Sequence, residues 1–239
     1  MEILIIRHGD PDYDRDSLTK KGWKEAELLS ERLCKLDIKE FYCSPLGRAQ
    51  DTAKPTLEKM NRQMQIMPWL REFEGTVIRD GKRVLAWDQL PEYWKEIPAY
   101  YSRDDWYKTD LMPSANVEEE YAWVTAELDK LLAEHGYLHE NGKFRVLQEN
   151  HDRIALFCHY GVSCVLLAHL LDMSPMILWH NFVMQPSAVT TLTTEERRPG
   201  IANFRMRSYG DISHLYAGGE EPAFAARFCE CFSDDTRHD

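Results

Sequence analysis

No apolar stretch in this chain approaches the roughly 20 residues that a membrane-spanning helix requires. No basic segment followed by an apolar one marks a secretory leader. The expectation is a soluble, cytoplasmic protein that does not enter a membrane. Positive charge is also scarce: 29 Lys and Arg stand against 40 Asp and Glu, for a formal net charge of -11. The basic footprint of nonspecific nucleic-acid binding is therefore missing. An anionic small molecule is still compatible with such a chain, since a site works through local charge, but long-range steering of phosphates is weak. Cysteine is limited to Cys34, Cys43, Cys158, Cys164, Cys229 and Cys231, which read as reduced thiols. Cys229 and Cys231 lack both the two-residue spacing and the partner pair of a zinc site. There is no phosphate-cradling glycine-rich loop, no two-histidine zinc motif and no calcium loop. No metal and no cofactor are expected.

What is present lies at the ends of short apolar runs. Ile3-Leu4-Ile5-Ile6 leads into Arg7-His8-Gly9. The run is too short for a helix and reads as a buried parallel strand. Its C-terminal end is where open α/β sheets place their chemistry. There a guanidinium can fork onto a phosphate and an imidazole can attack or donate. Ser44-Pro45-Leu46-Gly47-Arg48-Ala49-Gln50-Asp51-Thr52-Ala53 follows the strand-like Glu40-Phe41-Tyr42-Cys43. Ser44 as N-cap with Pro45 at the first helical position predicts a helix whose opening turn carries Arg48, where anions are favoured. Leu70-Arg71-Glu72-Phe73-Glu74-Gly75 follows Ile66-Met67-Pro68-Trp69. Ile154-Ala155-Leu156-Phe157-Cys158 ends in His159-Tyr160-Gly161, ahead of a helical run from Val162 to Leu171. Two strands thus each deliver a histidine to their C-terminal ends.

Leu18, Trp23, Ala26, Leu29, Leu33 and Leu36 fall near one helical face, with Thr19 or Ser17 as cap. The order of strands and helices predicts an α/β fold, a three-layer sandwich with a mostly parallel central sheet and helices on both faces. The 239 residues read as one domain, 1–239, with a helical, aromatic-rich insertion at roughly 75–142. Trp87, Trp94, Trp106 and Trp123 lie in that insertion, and Pro91, Pro98 and Pro113 chop it into short helices. Val117 to His135 is its longest helical piece. Such a segment either walls a pocket or forms a satellite hydrophobic cluster. His135 and His139, with Gly136 ending the helix between them, are expected at the surface. His151, His169, His180 and His238 have no partner pattern.

Taken together and in this order, Arg7-His8-Gly9, the Ser44 to Ala53 segment, Leu70-Arg71-Glu72 and His159 with Gly161 resemble the histidine phosphatase superfamily, the phosphoglycerate-mutase-like proteins. The strand-like runs Ala188 to Thr194 and Ile201 to Ser208, and the ending Asp211-Ile212-Ser213-His214-Leu215, are similar to the family too. The resemblance implies that the insertion lies over the active site and contacts substrate. It implies a phosphatase acting on a small organic phosphomonoester without metal, through a phosphohistidine on His8. Arg7, Arg48 and His159 would hold the phosphoryl oxygens. Glu72 would be general acid and then general base, with Glu74 as its rival. Catalysis thus rests on His8, Glu72 and His159.

Some positions depart from the family. Asp14 stands where many members carry an Asn, so it is not expected to bind phosphate. Tyr160 replaces a common small residue; its hydroxyl can contact substrate, its ring can narrow the pocket, or it can simply pack. The role of His214 is open. A phosphoglycerate mutase-type phosphotransferase is the alternative, but the Glu-Arg-His-Tyr-Gly segment of cofactor-dependent mutases is replaced by Glu72-Phe73-Glu74-Gly75. A noncatalytic binding domain on the same fold is a further alternative, opposed by the presence of all five site residues. The oligomeric state is not legible.

Overall fold

The computed structural model describes residues 1–224 and 230–233; Cys229 and His238, considered above, lie outside them. The chain opens with β1 (Glu2–Arg7), the short ladder of β2 (Pro11–Asp12) with β3 (Ser17–Leu18), α1 (Lys20–Leu33), β4 (Glu40–Cys43), α2 (Gly47–Met60) and β5 (Gln65–Ile66). The hairpin β6 (Thr76–Arg79) and β7 (Lys82–Leu85) follows, then α3 (Pro91–Trp94), several 3-10 turns, α4 (Val117–Glu134) and the hairpin β8 (Tyr137–Glu140) and β9 (Lys143–Val146). The last third holds β10 (Arg153–Cys158), α5 (Tyr160–Leu170), α6 (Pro175–Asn181), β11 (Val189–Arg198), β12 (Ile201–Asp211) and α7 (Ser213–Ala217).

Eight strands form one sheet in the order β5-β4-β10-β1-β11-β12-β9-β8. β5, β4, β10 and β1 pair in parallel, and the pairings from β1 through β11, β12 and β9 to β8 are antiparallel. Consequently β1, β10, β4, β5, β12 and β8 point one way, with β11 and β9 against them. The expected α/β sandwich with a mainly parallel sheet is present.

Side-chain alternation explains the layers. Leu4 and Ile6 of β1, with Ala155 and Phe157 of β10, pack against Leu29 and Leu33 of α1 and Ala49 and Ala53 of α2. Ile3 and Ile5, with Ile154 and Leu156, face the other way and join Leu128 of α4 and Val165 and Leu167 of α5. A strand buried on both faces reads as a continuous apolar run, which is why β1 and β10 are legible. Their register pairs Arg7 with Cys158, so the residues that follow, His8 and His159, emerge side by side at the C-terminal edge.

Several local expectations are corrected. α2 begins at Gly47 with Leu46 as its extended N-cap and no side-chain cap. Ser44 does not cap it, because the helix starts only at Gly47 and the Ser44 hydroxyl serves Leu46 N, ahead of it, and His159. Thr19, not Ser17, caps α1 by accepting from Gly22 N. Trp23 lies off the buried face and is partly exposed. The stretch at 75–142 is not purely helical, since β6 and β7 form a hairpin and β8 extends the main sheet. Much of its aromatic content packs rather than lining a pocket: Trp94, Tyr100 and Trp106 are buried in the same cluster as the sheet face, with Trp106 5.3 Å from Trp179 between ring centroids. His135 is buried, not at the surface, and bonds the Tyr42 hydroxyl at 3.0 Å. No described helix is long and apolar enough to cross a membrane.

Candidate active site

The edge where β1 and β10 end gathers four of the expected residues. His8 and His159 have ring centroids 5.1 Å apart, and both are almost completely buried. His8 Nδ1 lies 2.7 Å from the Gly9 carbonyl. A carbonyl only accepts, so Nδ1 carries the ring proton and Nε2 keeps its lone pair. The main chain holds this residue from both sides: His8 N donates to Cys158 O and Ser187 N donates to His8 O, each at 3.0 Å. Gly9 N donates to Thr52 Oγ1 at 2.9 Å, which ties the loop to α2. Burial, then the charge of Arg7, holds His8 well below the ordinary histidine range, and Arg48 adds to this. The imidazole is therefore neutral at physiological pH.

His159 Nε2 lies 2.7 Å from Ser44 Oγ. That hydroxyl oxygen also accepts from Leu46 N at 3.2 Å. The other ring nitrogen, Nδ1, is buried with no partner among the described residues. Arg7 donates through Nη1 to the Met184 carbonyl, and its guanidinium lies 5.6 Å from the Tyr160 ring centroid. Arg48 meets Asp16 through Nη1 at 2.6 Å. Both arginines keep a buried Nε without an acceptor among the described residues. Sequence reasoning missed Asp16; its Oδ2 also accepts from Gly47 N at 2.6 Å.

Glu72 sits across from these groups, delivered by the 3-10 turn Pro68–Leu70 and anchored at the start of α5. Its Oε1 accepts from Phe73 N at 2.8 Å and from Val162 N at 2.9 Å. Oε2 accepts only the longer bond from Gly161 N, 3.2 Å. Burial raises the carboxyl above its ordinary range despite those donors and Arg7. Glu74 is not brought to the site. Its side chain is 63% exposed and pairs with Arg71 at 2.8 Å.

The remaining sequence candidates separate cleanly. Asp14 is exposed. The Tyr160 hydroxyl donates its one proton to Trp179 O at 2.7 Å, with Phe182 O also in reach at 2.9 Å, so it closes the end of α6 and is not offered to a substrate. Its ring instead lies beside Arg7 and edge-on to Trp87. Trp87 does reach the site's rim, where its Nε1 donates to Phe73 O at 2.8 Å. His214 bonds Ser187 Oγ at 3.0 Å, one step behind the amide that holds His8. Sequence reasoning also missed Glu25, whose Oε2 accepts from Asp10 N at 2.8 Å. Its signal is an acidic residue on the apolar face of an amphipathic helix, between Gly22 and Ala26.

The residues 3–206 match the family model of the histidine phosphatase superfamily, branch 1. A Schizosaccharomyces pombe protein described as a probable phosphatase is 23% identical over 90% of this chain and 95% of its own length. The adenosylcobalamin/alpha-ribazole phosphatase of Escherichia coli is 25% identical over 75% of this chain and 84% of its own. Among solved structures, a mycobacterial glucosyl-3-phosphoglycerate phosphatase superposes with a TM-score of 0.58 at 22% identity, covering 87% of this chain and 98% of that one. An Entamoeba histolytica phosphoserine phosphatase gives 0.58 at 16% identity, covering 90% and 98%. Matched over most of its length and built on the same fold, this chain belongs to the histidine phosphatase superfamily, whose relatives here are phosphatases and phosphoglycerate mutase-like proteins.

Proposed function

We propose that the protein is a phosphatase that hydrolyses a small organic phosphomonoester through a phosphohistidine on His8. One observation carries this reading. Arg7 Nε and Arg48 Nε are buried N–H donors with no acceptor among the described residues, His159 Nδ1 is a buried ring nitrogen likewise unpaired there, and both arginines are close enough to act on the neutral His8 imidazole. An unpaired buried donor is costly, about 1–3 kcal/mol. The oxygens of a phosphoryl group supply the missing acceptors and the negative charge that two guanidinium groups favour.

His8 Nε2 attacks phosphorus, forming the N–P bond as the ester P–O bond breaks. Glu72, whose protonated form burial favours, gives its proton to the leaving oxygen. Oε2, which accepts the single long bond, is the oxygen that carries this proton. Water then attacks phosphorus, the N–P bond breaks, and Glu72 takes the water proton. Fixed donors and imidazoles stabilise the charge, so this step sequence requires no metal ion.

Hydrolysis is favoured over mutase-type transfer by the state of Arg71. A phosphoglycerate mutase must hold a substrate carboxylate with extra cations. Arg71, the basic residue adjoining Glu72, is already paired with Glu74 at 2.8 Å and Glu120 at 3.0 Å. Rapid quench of chelator-treated protein with labelled aryl phosphate tests the proposal. An acid-labile, alkali-stable adduct should form on His8 and be absent from His8→Ala. A label on another residue, or unchanged turnover in the variant, overturns it.

A further inference from the structure

Three side chains that the active site does not use converge on the opposite end of α5. Asp129 projects from α4, His139 from β8 and His169 from the last turn of α5. His139 Nδ1 lies 3.1 Å from Asp129 Oδ2, and His169 Nε2 lies 2.8 Å from Asp129 Oδ1. The two imidazoles stand almost perpendicular, 86° with centroids 4.7 Å apart. They turn to one carboxylate rather than to each other. One donor atom from each of the three residues lies within 4.8 Å of the other two. His139 is further oriented by stacking on Phe144, 4.8 Å away at 19°.

We infer that Asp129, His139 and His169 form a zinc-type metal site that ties α4, α5 and β8 together. Two imidazole nitrogens and one carboxylate oxygen are a three-ligand set for Zn2+, with the fourth position left to water. Tetrahedral zinc at about 2.0–2.1 Å from nitrogen places neighbouring ligand atoms roughly 3.3 Å apart. The imidazoles face different oxygens of that carboxylate, His139 Nδ1 at 3.1 Å from Oδ2 and His169 Nε2 at 2.8 Å from Oδ1, so with either oxygen as ligand one edge already lies near that spacing. The ligand atoms lie within 4.8 Å of one another, so the remaining edges close by at most about 1.5 Å when the ion binds. Each ring then moves the proton it now directs at Asp129 to its other nitrogen, or releases it. His169 lies ten residues along the chain from His159, about 15 Å at 1.5 Å per helical residue. The ion would therefore act on stability and not on phosphoryl transfer. Sequence spacing hides this site because its ligands come from three separate elements, whereas zinc motifs are recognised by ligands a few residues apart.

The test compares chelator-treated wild type with His139→Gln, His169→Gln and Asp129→Asn, each checked for native near-ultraviolet circular dichroism. Any zinc taken up by the active-site imidazoles is common to all four proteins, so the difference isolates this cluster. Wild type should bind one more equivalent of Zn2+ than any variant and show a rise in Tm on zinc addition that the variants lack. Co2+ should give the intense visible absorption of a tetrahedral site in wild type alone. Phosphatase turnover without added metal should be the same in all four. Equal zinc uptake and equal Tm shifts in wild type and Asp129→Asn, the variant closest in shape, would overturn the proposal.

Discussion

Glu72 and Glu74 are two positions apart and meet opposite surroundings. Glu72 is enclosed among main-chain donors at the start of α5, whereas Glu74 faces solvent beside Arg71. Enclosure favours the protonated form of Glu72, and a general acid contributes on the order of 10² to 10⁴ in rate. That contribution depends on how badly the leaving group needs a proton. Glu72→Gln should cripple hydrolysis of an alkyl phosphate far more than that of an activated aryl phosphate. Some loss should persist with both, because the same carboxylate also takes the proton of the attacking water. Glu74→Gln should be mild with either substrate, since an exposed ion pair contributes about 0–1 kcal/mol. Steady-state kinetics on the two ester classes checks this, and a leaving-group-dependent loss in Glu74→Gln would reverse the assignment.

At the scale of elements, the first turn of α5 positions the acid, and glycine makes that approach possible. A Cβ at Gly161 would come within 2.7 Å of Glu72 Oε1 and 2.9 Å of Trp87 Nε1, closer than non-bonded atoms tolerate. Gly161→Ala should push Glu72 off its two helix amides. We expect kcat on an alkyl phosphate to fall about tenfold or more, while the sheet and its melting temperature change little. An unchanged kcat would show that the turn relaxes without moving the carboxyl. Both anchoring strands were legible because each is a short, fully buried run. The elements whose ends depend on tertiary partners were not. Ser44 looks like an N-cap in sequence, yet its hydroxyl goes to His159 across the sheet. Tyr160 sits beside His159 as if to greet a substrate, but its hydroxyl reaches forward along the chain to α6. The aromatic segment read as a pocket wall because composition does not tell a wall from a core. Trp87 lies at the site, whereas Trp94 and Trp106 are packed inside.

For the molecule as a whole, the enclosure of so many titratable groups sets how stability responds to acid. His8, His135, His159, His180 and His214 are all held below the ordinary histidine value of 6.5, burial being the largest cause in each, with His180 and His214 near 4. As pH falls through 6.5 the unfolded chain binds protons that the folded protein refuses. Each such group then removes up to about 1.4 kcal/mol of stability per pH unit. Glu25, raised to about 7, acts in the opposite direction, as do Glu72 and Glu120, again through burial. Folded, they retain protons that the unfolded chain releases above about 4.5, and their contribution is lost as pH rises through the folded values. Five histidines outweigh three carboxyls, so between about pH 6.5 and 4.5 acidification should lower stability. Urea melts across that window should show a falling midpoint well before the ordinary carboxylates protonate. His214→Gln, which keeps a polar side chain near Ser187, should make the fall shallower by up to one proton. A midpoint that stays level or rises toward pH 4.5 would show that the buried histidines do not outweigh the buried carboxyls.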